Sequence, residues 1–75
     1  MNKFETVVIS VVGRKSEMRM FGFSTKTEAQ EDRDERVARN LAKGFEKVED
    51  QGDEGLRVSD GTTTILYIVR PVGIL

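Results

Sequence analysis

Across 75 residues this chain has neither a cysteine nor a histidine, and that absence constrains its folding more than any motif it carries. A domain of this size hides only ~60–65% of the surface its unfolded chain exposes, so burial and ordering entropy nearly cancel. Small domains usually close the gap with disulfides, a structural metal or self-association. Without cysteine the first is impossible, and structural zinc loses its usual ligands. What is left is a well-patterned core and a second copy of the chain. The expectation is one domain over residues 1–75 that forms a homodimer.

The same absence narrows the chemistry. Histidine is the usual general base near neutral pH, and cysteine the readiest nucleophile. Ser10, Ser16, Ser24 and Ser59 therefore lack the base of a serine triad. Val12-Gly13-Arg14-Lys15-Ser16 ends in Lys-Ser but lacks the upstream glycine of a phosphate-binding P-loop. The sequence predicts no catalytic residue, no cofactor and no metal, and hence a protein that is not an enzyme.

Twelve basic and thirteen acidic residues leave a net charge of −1. Nucleic-acid binders carry a basic excess that neutralises phosphates, so this balance argues against one. Glu5 and Ser10 interrupt the first apolar run, which therefore does not read as a signal peptide. No stretch approaches the ~20 apolar residues of a spanning helix. A cytoplasmic protein with no membrane partner is expected.

Along the chain, Phe4 to Val12 reads as a strand with Val7, Ile9 and Val11 as one apolar face and a mixed face opposite. Gly13 to Ser16 has turn composition. Met18 to Thr25 reads as the returning strand, with Phe21 and Phe23 on one face and Met18 and Met20 on the other. A helix follows. Thr27-Glu28-Ala29-Gln30 fits a capping box, Asp32 offers a later start, and Val37, Ala38, Leu41 and Ala42 give a narrow apolar stripe. In the polar first half only Ala29 suits burial. Two ends compete for this helix: Lys43-Gly44 has the glycine C-cap signature, while Phe45 and Val48 would extend the stripe. Capping chemistry favours Gly44.

Phe45 to Asp50 then reads as a third strand, and Gln51 to Gly55 as a polar loop. Leu56 to Ser59 and Thr62 onward flank Asp60-Gly61, a dipeptide suited to a type I′ hairpin turn. Ile65 to Val69 leaves neither face polar, the mark of a strand central in its sheet or lying in an interface. Arg70-Pro71 ends it. The order is β-β-α-β-β-β, and the predicted class is α+β: a mostly antiparallel sheet of three to five strands with one helix on one face. One helix covers such a sheet poorly, so the second face keeps Val, Ile or Met and invites a partner.

Three groups are candidates for function. Arg14, Lys15 and Arg19 on the first hairpin, with Arg57 and Arg70 as further cations, could hold phosphates, against a reading as ordinary edge-protecting charges. Glu28, Glu31, Asp32 and Glu35 form an acidic helix start that could dock on a basic protein surface, against a reading as a solvated face. Arg33, Arg36 and Arg39 alternate with these acids, and each local pair contributes only a few tenths of a kcal/mol. The acids from Asp50 to Glu54 lack the spacing of a calcium loop. Met1, Met18 and Met20 with Phe21 and Phe23 form a third group, an adaptable recognition surface or simply core. Tyr67 and Phe4 could stack on bases, but no glycine-aromatic RNA-binding signature accompanies them, so Tyr67 is read as core or interface.

Three stretches, Lys3-Phe4-Glu5-Thr6-Val7-Val8, Leu41-Ala42-Lys43-Gly44-Phe45-Glu46 and Ile65 to Pro71, are similar to a small family of uncharacterised bacterial and phage domains. That family opens on a Lys-aromatic-Glu strand, has a helix ending in Gly-aromatic-Glu and closes on an apolar strand near a basic residue. Phe45 stands where Trp is commoner there, and the acids around Asp32 are additional. The resemblance implies the helix end at Gly44 and no activity; a phage or mobile-element origin is expected for a compact chain without a catalytic site. The functional expectation is a small protein-binding module, an inhibitor or adaptor, with phosphate binding through Arg14, Lys15 and Arg19 as the alternative.

Overall fold

A computed structural model of the protein describes residues 2–73. Five strands, β1 (Phe4–Val12), β2 (Lys15–Phe23), β3 (Glu46–Asp50), β4 (Leu56–Ser59) and β5 (Thr63–Pro71), form one antiparallel sheet in the order β2-β1-β5-β4-β3. Among the described residues one helix, α1 (Lys26–Ala42), lies against one face, and a single 3-10 turn spans Gly52–Glu54. The α+β class and the element order follow the sequence expectation. β5, apolar on both faces, is the central strand and pairs along β1 and β4.

The first turn is tighter than composition suggests. Val12 pairs with Lys15, so only Gly13 and Arg14 lie outside the ladder. Gly13 takes φ +59° and no non-glycine residue among the described residues has positive φ, which is the pattern of a two-residue turn with glycine first. The Asp60-Gly61 turn is not type I′, because that geometry needs positive φ at both central residues and only Gly61 supplies it. Instead Asp60 Oδ1 accepts the Thr62 and Thr63 N–H groups at 2.9 and 2.7 Å. Those bonds, Thr63 first, hold its carboxyl below the usual value.

The helix starts two residues before the expected box. Thr25 is the N-cap: its hydroxyl accepts the Glu28 N–H at 3.1 Å while Glu28 Oε1 accepts the Thr25 N–H at 3.2 Å. Thr25-Lys-Thr-Glu28 has the same spacing as Thr27 to Gln30, with a charged acceptor that binds a backbone donor more strongly. At the other end the chain stops at Gly44, as capping chemistry favoured. Gly44 has φ +101°, its N–H donates to Leu41 O, and the Phe45 N–H reaches Asn40 O. This is the Schellman arrangement that a left-handed glycine permits.

The helix buries a different stripe from the expected one. Ala29 and Val37 are buried, whereas Ala38 and Ala42 are exposed and Leu41 is 37% exposed. The covered line is Ala29, Arg33, Val37 and Asn40, spaced four, four and three, with two polar members. Polar bonds therefore supplement packing. Thr6 Oγ1 donates to the Ala29 carbonyl at 2.8 Å in a buried setting, and Asn40 Nδ2 donates to the Tyr67 hydroxyl. The core is Val37, Leu56, Val58 and Tyr67, with Val8, Phe45 and Ile65 half-buried around it.

Candidate functional site

Strand alternation and register decide what each sheet face carries. Under the helix lie Thr6, Val8, Phe21, Tyr67, Val69, Leu56 and Val58. On the other face Val7 sits between Met20 and Ile68, and Ile9 between Met18 and Leu66. The unbroken apolar face of β1 is thus the uncovered one, and its mixed face receives the helix. Thr6 explains part of this choice, since its buried hydroxyl needs the Ala29 carbonyl that only the helix provides. On the open face Val7 is buried by its flanking side chains, while Val11, Met18 and Met20 are 40%, 59% and 57% exposed.

Ion pairs mark the ends of that apolar row. Arg70 Nε donates to Glu5 Oε2 at 2.6 Å, and Arg57 Nη1 reaches Glu49 Oε2 at 3.4 Å on the far side of the sheet. The Asn2 side chain lies against Gly22: a Cβ there would stand 2.2 Å from Asn2 Nδ2. The centre between them is free of charge. Of the expected methionine group, Met18 and Met20 do share this face, while Phe21 and Phe23 point to the helix side and Met1 lies outside the described residues.

The acidic start of α1 is mostly engaged within the helix itself. Glu28 serves the N-cap, Asp32 pairs with Arg36 at 2.8 Å and Glu35 with Arg39 at 3.0 Å. Glu31 is exposed and forms no salt bridge among the described residues. The basic group does not converge: Arg14 is in the turn, Lys15 and Arg19 lie on the helix side of β2 with Glu17 between them, and Arg57 and Arg70 lie on the open face in their own pairs.

Beside the C-terminal half of α1 is a cleft of about 410 Å³ over Val8, Ser10 and Tyr67, rimmed by Arg19, Arg36, Arg39 and Lys43. The Arg36 guanidinium lies 3.7 Å from the centre of the Phe21 ring. Burial pushes the Tyr67 phenol above its ordinary value of 10.0, opposed in part by the Asn40 hydrogen bond, so it stays protonated and offers no base near neutral pH. Asp32 and Glu35 pair with two of the four cations, and Glu17 lines the same cleft 3.9 Å from Arg19, which leaves the cleft a weak anion trap.

One cluster had no signal in the sequence. Asp53, in the loop read simply as polar, accepts from Gln30 Nε2 on both oxygens at 3.0 Å. Lys26 Nζ and Arg33 Nη1 stand 2.9 and 3.0 Å from the same carboxylate. Gln30 first, then Lys26, hold the Asp53 carboxyl below its ordinary 3.8. The donors are all on α1 at three- and four-residue spacing, but the acceptor is twenty or more residues away, a pairing no local pattern encodes. This cluster clasps the 3-10 turn to the helix.

Among the described residues no group of three or more carboxylates gathers as a cation site, and no helix is long and apolar enough to cross a membrane. No protein-family model, no curated protein and no solved structure matches the chain.

Proposed function

We propose that the protein is a non-enzymatic protein-binding module that docks a partner chain through the helix-free face of its sheet. One observation carries this reading. The most continuous apolar surface of β1 is uncovered, and Met18, Met20 and Val11 extend it into solvent. A row of this kind, charged only at its rim, fits an apolar protein surface and not a polyanion. Methionine adds adaptability, since its unbranched side chain repacks against different shapes. Phosphate binding through Arg14, Lys15 and Arg19 has less support, because Glu17 interrupts the cations on that face.

Capture from lysate with tagged wild type and with Val11→Lys/Met20→Lys, each with and without nuclease, tests the reading. Both substituted side chains are exposed, so folding should survive. The expected result is a stoichiometric protein that survives nuclease and is lost from the double variant. A protein captured equally by both would refute the open face as the docking surface, and recovery abolished by nuclease would move the function to the basic hairpin.

A further inference from the structure

We propose that two copies of this chain join edge to edge through β2, antiparallel and centred on Met18, so that one sheet runs unbroken across both. This deepens the protein-binding reading and rests on it for its purpose, because the joined sheet sets the Met18 and Met20 side chains of both copies on one open face.

The sheet has two edges, and they differ. β3 is five residues long, wholly exposed, rich in charge and broken by a register shift between Lys47 and Glu49, the usual means of blunting an edge. β2 is nine residues long, holds unbroken register with β1 from Lys15 to Phe23, and contains no proline. Its outer side has no neighbour in the sheet order. Val12 and Lys15 close a two-residue turn and are therefore a hydrogen-bonded pair. Counting on from Lys15, alternate residues turn their backbone groups toward β1. Ser16, Met18 and Met20 turn theirs outward.

The charges on β2, together with the length of strand each register overlaps, select one way to use those groups. Lys15, Glu17 and Arg19 lie on one face. With a two-fold axis at Met18, Met18 faces its own copy and Ser16 faces Met20 in hydrogen-bonded positions. Glu17 then stands opposite Arg19 of the second copy, and Arg19 opposite Glu17. These are non-hydrogen-bonded pairs, where side chains approach closest. Within one molecule the Glu17–Arg19 contact is long, 3.9 Å, and the side chains are 74% and 72% exposed, so both remain free for a better partner.

An axis at Ser16 pairs Glu17 with Lys15 instead, but only Lys15 to Glu17 of each strand then overlap, and the Gly13-Arg14 turn falls opposite Arg19 and Met18. The other neighbouring registers lose the charge match. An axis at Glu17 sets Glu17 against itself and Lys15 against Arg19, and an axis at Arg19 sets arginine against arginine. An axis at Met20 makes no ion pair and runs into the Asn2 side chain packed on Gly22. Charged side chains on an edge commonly deter pairing. Here the same charges deter the wrong registers and complement the right one, which is how a repulsive element confers specificity.

Sedimentation and light scattering over a concentration series should find wild type dimerising, and Glu17→Arg or Arg19→Glu alone weakening the dimer about tenfold or more. Glu17→Arg/Arg19→Glu should restore it, since the axis simply exchanges the signs. Met18→Cys supplies the only thiol of the chain and should crosslink to itself. Val48→Cys, on the other edge, should not. A monomeric wild type, a double variant no tighter than the singles, or stronger crosslinking at position 48 would each overturn the proposal. None of these outcomes depends on partner capture, so failure here and failure of the open-face reading are told apart.

Discussion

Within β1 the two faces divide the labour of the molecule in the opposite sense to their hydrophobicity. The helix side carries Thr6, Ser10 and an Asn40–Tyr67 hydrogen bond among its apolar residues, and it is the side that is covered. The other side carries valine, isoleucine, leucine and methionine without interruption from Val7 to Leu66, and it is open. A polar group can be buried only with a partner, so a face containing Thr6 becomes core only if an element with a free acceptor lies on it. An apolar face makes no such demand and can be left for another molecule. Hydrophobicity alone thus identifies a surface to be buried without saying by what.

Breaking the covered face should have the largest effect. Tyr67→Ala removes the largest fully buried side chain and should cost about 3–5 kcal/mol, enough to unfold a domain this small. Urea denaturation checks it, and Tyr67→Phe should recover all but about 1 kcal/mol, the share of the Asn40 bond. Thr6→Val keeps the shape and deletes the bond to Ala29. It should cost about 1 kcal/mol, and no loss at all would mean that the face was chosen by packing alone.

The Asp53 clasp contributes less and is read through pH. Its carboxyl is held below 3.8 by Gln30 and Lys26, so the ionised form is the one the fold favours. That stability is present above the unfolded value and is lost as pH falls through the lowered folded value. Asp53→Ala should therefore cost about 1 kcal/mol at neutral pH, with the difference from wild type shrinking below about pH 4. A difference independent of pH would show that the side chain acts by packing instead.

The open face should respond least in stability and most in binding. Val11→Lys/Met20→Lys should shift the denaturation midpoint by the equivalent of about 0.5 kcal/mol or less, as expected for exposed positions, while abolishing partner capture. A large loss of stability in this variant would make the open face part of the folding core and erase the distinction between the two sides.

Local sequence set the type and order of the elements and the C-terminal end of the helix, whereas the returning strand runs Lys15–Phe23 and not Met18 to Thr25, and the helix starts at Thr25. Gly44 ended the helix because only a residue free to adopt positive φ closes a Schellman turn cheaply, and Phe45 then continued inward. Ile65 to Val69 pointed to a strand central in its sheet or lying in an interface because neither face is polar, and β5 is central. Alternation in β2 separates Phe21 and Phe23 from Met18 and Met20 through the two-residue period alone. These features are encoded within a few residues, where φ preference, side-chain period and capping operate. Choices between local equivalents, and contacts at a distance, were settled only when the layers packed. Thr25 prevailed over Thr27 as the cap, Val37 over Leu41 as the buried helix residue, and the mixed face of β1 over the apolar one as the helix platform. Asp53 found Gln30, Lys26 and Arg33 across the fold. Each of these depends on which groups satisfy one another once the layers meet, and hydrogen-bond satisfaction between segments far apart in the chain leaves no periodic trace along it.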